Sequence, residues 1–187
     1  DNRKASAYLS KFSRLIRHIF DNAKAEWIPL EKEIKALELY LELEKLRFDN
    51  KFDLMINVSE SVNLGTVLVR PLLIQPFVEN AIWHGLLHKD NGSGELSISY
   101  WKNAERLYVS IEDNGIGRIA SGELRAGKIL TQEKRGLKIT DERIHIMNEM
   151  FGAGIQYTIS DLVDEHGKSA GTKVEMYMTV KELLVHN

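Results

Sequence analysis

Asn80 and His84 stand four residues apart in the run Phe77-Val78-Glu79-Asn80-Ala81-Ile82-Trp83-His84. On a helix that spacing puts both side chains on one face. Asn offers a neutral carbonyl oxygen to a hard cation such as Mg²⁺, which keeps most of its waters and takes further ligands from phosphate. His84 could donate to a phosphate oxygen. The plainer alternatives are a surface Asn and a His favoured at a helix C-terminus by the helix dipole. Glu79 turns about 100° away from Asn80 and is either a supporting group or solvated.

Asp113 is the second chemical residue. Leu107, Val109 and Ile111 alternate as the apolar side of a strand, and period two puts Asp113 on that same side. A carboxylate there needs a strong donor or a pocket, and the exocyclic amino group of adenine is one such donor. In the plainer reading the strand ends at Glu112 and Asp113 begins an Asp-Asn-Gly turn. Gly115 and Gly117 follow, able to take positive φ and to let a ligand approach the backbone. Taken together, the two segments imply a nucleotide site with a Mg-phosphate end and an adenine end on separate elements. Gly136-Leu137 opens a predicted helix after Gln132-Glu133-Lys134-Arg135, and its free N–H groups would suit a phosphate. Gly171-Thr172 begins the last predicted strand and could set a hydroxyl near the nucleotide. Both also read as an ordinary helix start and an ordinary turn.

These residues need elements to position them. Helical spacing covers residues 4–22, with Tyr8, Phe12, Leu15, Ile16 and Ile19 in one stripe. Pro29 and the acids Glu31 and Glu33 mark the start of a second helix, running to about Arg47 with apolar residues on two sides. From Lys51 the period becomes two: strands are predicted around 52–58, 96–100, 107–111, 155–159 and 174–180, and helices at 72–87 and 136–150. The expected fold is an α/β two-layer sandwich, a mixed and largely antiparallel sheet with helices on one face, preceded by an α-helical hairpin. The predicted division is a helical segment 1–48 and a nucleotide-binding domain 49–187. Residues 89–94 and 118–135 read as loops, the second long enough to be a functional lid.

The chain has 187 residues, 43% apolar and 28% charged, with a formal charge of −2. That balance supplies no positive field for nucleic acid or an anionic membrane. It contains no Cys, which excludes disulfides and thiolate metal sites. No apolar run approaches the roughly 20 residues that span a bilayer. Beginning Asp-Asn-Arg, it reads as a piece of something longer.

The assembled motifs resemble the C-terminal kinase core of bacterial sensor histidine kinases of the LytS-like type, within the GHKL ATPase superfamily. Residues 71–85, with Gln75-Pro76-Phe77 and Glu79-Asn80, are similar to that family's N box. Asp113-Asn114-Gly115-Ile116-Gly117 matches its first glycine box, Gly136-Leu137-Lys138 with Glu142-Arg143-Ile144 resembles the second, and Gly171-Thr172 matches the closing Gly-Thr. Upstream, Leu15-Ile16-Arg17, Pro29-Leu30 with Glu33, and Tyr40-Leu41-Glu42 with Arg47-Phe48 echo the stretch joining the phosphoacceptor helices to the ATP domain. Each box alone is weak, but four in order are strong.

The resemblance implies ATP and Mg²⁺ as ligands. Asn80 would be on the metal, His84 near phosphate, Asp113 on the adenine amino group and Gly115, Ile116 and Gly117 around the adenine. Gly136 and Leu137 would lie near the phosphates and Thr172 near Asp113. It further implies a response regulator as partner, a homodimer, no contact of this segment with nucleic acid or membrane, and the cytoplasmic portion of an inner-membrane sensor. Two features depart from the pattern. Lys134 stands where the family has a glycine, and the phosphoacceptor His with its box is absent and is expected before Asp1. His18 lacks that context and reads as a solvated or interfacial helix residue. The resemblance places the hydrolytic base of gyrase-like members at about the position of Pro76, which is no carboxylate; this disfavours an ATPase or a Ser kinase. The remaining alternative is a degenerate scaffold without turnover.

Overall fold

A computed structural model of the chain describes residues 2–89, 93–118 and 130–183, with backbone alone for 2–4 and 130–138. Two compact units result. They differ from a single cut after residue 48: the first comprises the chain through Lys51, Asn63–Gln75 and the segment from Val180, and the second comprises Phe52–Val62 and Pro76–Thr179.

In the first unit α1 (Asn2–Ala23) packs on α2 (Leu30–Arg47). Glu31 and Glu33 occupy the first turn of α2 and Lys45 and Arg47 the last, as the helix dipole favours. Leu30, Ile34, Leu37 and Leu41 are buried on one side and Leu39 and Leu43 on the other, because α2 meets α1 and also a small three-stranded sheet. That sheet was not foreseen. It joins β1 (Ile28–Pro29), β3 (Val67–Val69) and, near the end of the described chain, β8 (Lys181–Glu182), in the order β1-β3-β8. Strands of two or three residues are too short to show a period, so only pairing reveals them. These pairings draw 63–75 and the segment from 180 to the helices. Beside the sheet, the Trp27 ring lies between Arg70 and Lys181, at 4.3 and 4.6 Å. The buried Glu33 carboxylate accepts the N–H groups of Leu72 (3.0 Å) and Leu73 (3.3 Å), which holds Leu72 at φ +58° just ahead of the next helix. His18 is half-buried on α1.

The second unit contains a five-stranded sheet in the order β2-β4-β5-β7-β6, from β2 (Phe52–Val58), β4 (Gly94–Asn103), β5 (Arg106–Asp113), β6 (Gln156–Val163) and β7 (Ser169–Thr179). Only the β2–β4 pair is parallel. Cross-strand rows fill the inner face: Ile98, Ile111, Val174 and Ile159 in one, Tyr100, Val109, Met176 and Tyr157 in the next. On the outer face Trp101, Tyr108 and Tyr177 form a row among polar neighbours. The mixed, largely antiparallel sheet and its helices are therefore as expected.

Two helices cover the inner face. α3 (Gln75–Asn80) buries Phe77 and Val78, and the Phe77 ring meets that of Tyr157 edge-on at 4.8 Å. α4 (Leu130–Phe151) is tied to β6 by the side chain of Asn148, which donates to Ile155 O (2.8 Å) and accepts from Ile155 N–H (2.7 Å). Tyr157 donates its hydroxyl to Asp141; burial first, and then this bond, push the phenol up to about 12. Ile144 is buried on α4, whereas Ile139 and Met150 are exposed.

α4 begins six residues before Gly136. Gly136-Leu137 therefore lies inside the helix rather than at its free N-terminus. The sequence Leu130-Thr-Gln-Glu-Lys-Arg has no Pro and favours helix, and one interior Gly costs only about 1 kcal/mol. Of the expected lid 118–135, residues 130–135 belong to α4 and 119–129 lie outside the described residues, as do 90–92 of the expected loop 89–94.

Candidate functional site

Asp113 is the last residue of β5, in register with Leu96 on one side and Thr172 on the other. The strand thus runs past Glu112, and period two turns the Asp113 side chain inward, where it is only 2% exposed. Its Oδ1 accepts the Gly115 N–H at 2.9 Å, and its Oδ2 accepts the Thr172 hydroxyl. Burial raises its pKa above the ordinary carboxylate range; the bonds from Thr172 and Gly115 pull the other way without cancelling it. Asn114 fixes the turn, accepting Glu95 N–H on its side chain (2.8 Å) and donating its own N–H to Glu95 O (3.2 Å).

The helix carrying Asn80 is not regular. After Asn80 it widens into a π turn over Ala81–Gly85 and closes with a 3₁₀ turn, Leu86–His88. Leu86 N–H reaches both Ala81 O and Ile82 O. Single π turns of this kind recur at functional sites. Gly85 ends the widened turn against Asp113: a Cβ there would lie 2.6 Å from Asp113 Oδ1. Gly115 presses on Gly85 from the other side, where its own Cβ would stand 2.3 Å from the Gly85 carbonyl carbon. The Ile116 N–H completes the join by donating to Gly85 O at 3.3 Å. The N-box helix and the glycine turn therefore meet through bare backbone.

Phe77, Asn80, Ala81, His84, Gly85, Gly117, Arg118, Ile159, Thr172 and Val174 line one cavity of about 50 Å³. That is room for a few waters where each occupies about 10–15 Å³, enough for the edge of a flat ring. Asn80 and His84, predicted on one helical face, share this cavity, as do Gly117 and Thr172. Asp113 lies beside the lining residues Gly85 and Thr172. Gly115 and Ile116 hold the turn and are not lining residues. The side chains of Leu137 and Lys134 are among those not described. Thr172 lies inside β7, which begins at Ser169 rather than at Gly171.

Periodicity alone did not reveal Gly85, or the apolar walls Phe77, Ile159 and Val174, as site residues. A glycine in the interior of a helical pattern was the available signal for Gly85. The Arg118–Asp161 pair had no local signal, with its partners 43 residues apart. Arg118 Nε and Nη2 donate to Asp161 Oδ1 and Oδ2 at 2.9 and 2.8 Å. Asp161 raises the pKa of the guanidinium, while Arg118 holds the Asp161 carboxyl below its usual range.

A buried carboxylate, a neutral amide oxygen, a His and a small apolar cleft form a donor set suited to a base with an exocyclic amine and a metal-bearing anionic tail. Among the described residues no group of three or more His, Cys, Asp or Glu side chains could cage a metal. An ion at Asn80 would therefore be held largely by ligand oxygens and water, as Mg²⁺ commonly is. No helix among the described residues is long and apolar enough to cross a membrane.

The histidine kinase family model matches residues 1–52. The sensor protein LytS of Bacillus anthracis is 29% identical over 169 residues, 88% of this chain and 28% of that protein. The sensor histidine kinase/phosphatase LytS of Staphylococcus aureus (strain MRSA252) is 34% identical over 118 residues, 63% of this chain and 20% of that protein. The chain thus spans no more than about a quarter to a third of either relative. The catalytic domain of the histidine kinase ThkA matches with a TM-score of 0.52 at 15% identity, covering 82% of this chain and 93% of that domain, a likeness of fold. The chain is thus similar in sequence to sensor histidine kinases of the LytS type and similar in fold to a histidine kinase catalytic domain.

Proposed function

We propose that this chain is the ATP-binding kinase core of a two-component sensor. The γ-phosphate of ATP would pass to a His of the longer protein and from there to an Asp of a response regulator. The buried Asp113 carboxylate carries this reading. It is held by Thr172 and Gly115 beside a cleft shared with Asn80 and His84. An ionised carboxylate there accepts from the adenine amino group, and the glycine contacts keep space that side chains would fill. Asn80 would hold Mg²⁺ from one side, and the metal would supply neutralisation of phosphate charge. In phosphoryl transfer to His, a ring nitrogen forms the P–N bond, the bond to the β-phosphate oxygen breaks, ADP leaves and the ring proton is released. Most of the protein's work in such chemistry is positioning and charge neutralisation.

A dimer and a cytoplasmic position on a membrane-anchored sensor belong to the same proposal. Leu9, Phe12 and Phe20 of α1 are exposed in the single chain, which supports a helical partner. Calorimetric titration with ATP, with and without Mg²⁺, tests the core claim. Saturable, Mg²⁺-enhanced binding is expected. A chain that binds no adenine nucleotide would be a scaffold and the kinase reading would fail. No stable acid-labile phosphate is expected on the chain alone, since His18 lacks the context of a phosphoacceptor box.

A further inference from the structure

Arg118 is the only Lys or Arg on the described lining of the cleft. One edge of its guanidinium is occupied: Nε and Nη2 grip both oxygens of Asp161, and Nη2 also donates to Ile159 O at 3.4 Å. Among the described residues Nη1 donates to nothing, and the side chain is 46% exposed. Asp161 is aligned across β6 and β7 with Thr172, and Thr172 across β7 and β5 with Asp113. Asp113, Thr172 and Asp161 thus form one polar row above the apolar floor of Ile159 and Val174. A guanidinium pinned by a bidentate carboxylate has lost much of its rotamer freedom before a ligand arrives, and its second edge presents two further donors in a fixed plane.

We infer that Arg118 is a phosphate-binding residue of this cleft, contacting the anionic tail of the nucleotide through Nη1, and that Asp161 is the positioning residue that holds it there. The inference rests on the nucleotide reading above and goes further by naming the cation. The local charge pattern agrees. Asp113 is negative and suited to an amine, whereas Arg118 is positive and always charged, so the cleft has two ends of opposite preference.

The test compares ATP, ADP and adenosine binding to wild type, Arg118→Ala and Arg118→Lys, with thermal melts alongside. ATP and ADP affinities are expected to fall on the order of tenfold in Arg118→Ala, with adenosine within about twofold of wild type. Arg118→Lys keeps the charge but cannot hold Asp161 with one edge and phosphate with the other, so it should fall between. It also serves as the working variant if the alanine form does not fold. Equal losses for adenosine and ATP would place Arg118 at the base or ribose and overturn the inference, as would unchanged ATP affinity. Failure of the wild type to bind any of the three would instead remove the nucleotide reading itself.

Discussion

Thr172 donates its hydroxyl to Asp113 Oδ2 across the β5–β7 pair, where the two residues stand in direct register. A buried carboxylate needs such a donor, because ionised oxygen without partners in an apolar setting is costly. The two therefore act as one unit, and what happens to either is read through the other.

Asp113→Asn is expected to fold and to lose adenine selectivity. The amide oxygen can still accept from Gly115 N–H, but its NH₂ is a donor and cannot accept from an adenine amine, and ATP affinity should drop by about 1–3 kcal/mol. The pH dependence has a definite sign. The folded pKa is raised, so the wild-type carboxyl contributes stability in full below its unfolded value and loses it as pH rises through the raised folded value. Asp113→Asn should then match or exceed wild-type melting temperature at neutral pH, with the gap closing on acidification. A mutant markedly less stable at neutral pH, or one with wild-type ATP and GTP affinities, contradicts this account.

Thr172→Val keeps the shape and removes the donor. Asp113 should then titrate higher still, because a bond that lowers its pKa is gone. A ¹³C NMR titration of the Asp113 carboxyl reads this directly. Stability at neutral pH should fall by about 1–3 kcal/mol. A midpoint at or below the ordinary carboxylate value in either protein would show that the pair does not work as described.

Asn80→Ala should abolish the Mg²⁺-dependent part of ATP affinity and leave adenosine binding intact. Asn80 lines the cleft, and Ala favours a helix, so the melt should shift by no more than about 0.5 kcal/mol in stability. Titrations with and without Mg²⁺ decide it; an undiminished magnesium effect would take Asn80 out of the site.

Gly85→Ala places a Cβ against Asp113 Oδ1 and pushes the carboxylate off the Gly115 N–H. Gly85 sits at φ −99°, so the conflict is steric and not conformational. A loss of about 1–3 kcal/mol in stability is expected, together with weaker nucleotide binding. Retention of both at wild-type level in a denaturant melt and an ATP titration would mean the two elements are not packed as tightly as the glycine contact requires.

How far the sequence can be read depends on the range of the interaction. The five strands of the large sheet, α1 and α2 follow from periods of two and 3.6, since each residue's neighbours in sequence decide which face it occupies. The placement of Asp113 on the inner side came from the same rule, and so did the pairing of Asn80 with His84. Motif order then carried the family resemblance, because four short segments in a fixed succession are hard to meet by chance. The start of α4 was misplaced because a glycine was read as a boundary where the flanking residues favour helix on both sides.

Chemistry-bearing residue types, their faces and their order along the chain were determined by the sequence alone. Only the tertiary structure decided that Asp113 is clasped by a hydroxyl 59 residues away, that Gly85 and Gly115 touch through backbone, and that Arg118 is pinned by Asp161. It also decided that strands of two and three residues knit β1, β3 and β8 together. The physical reason is common to all four. Each depends on which strands and turns become neighbours in space, and pairing energy between distant segments leaves no period and no local composition to read.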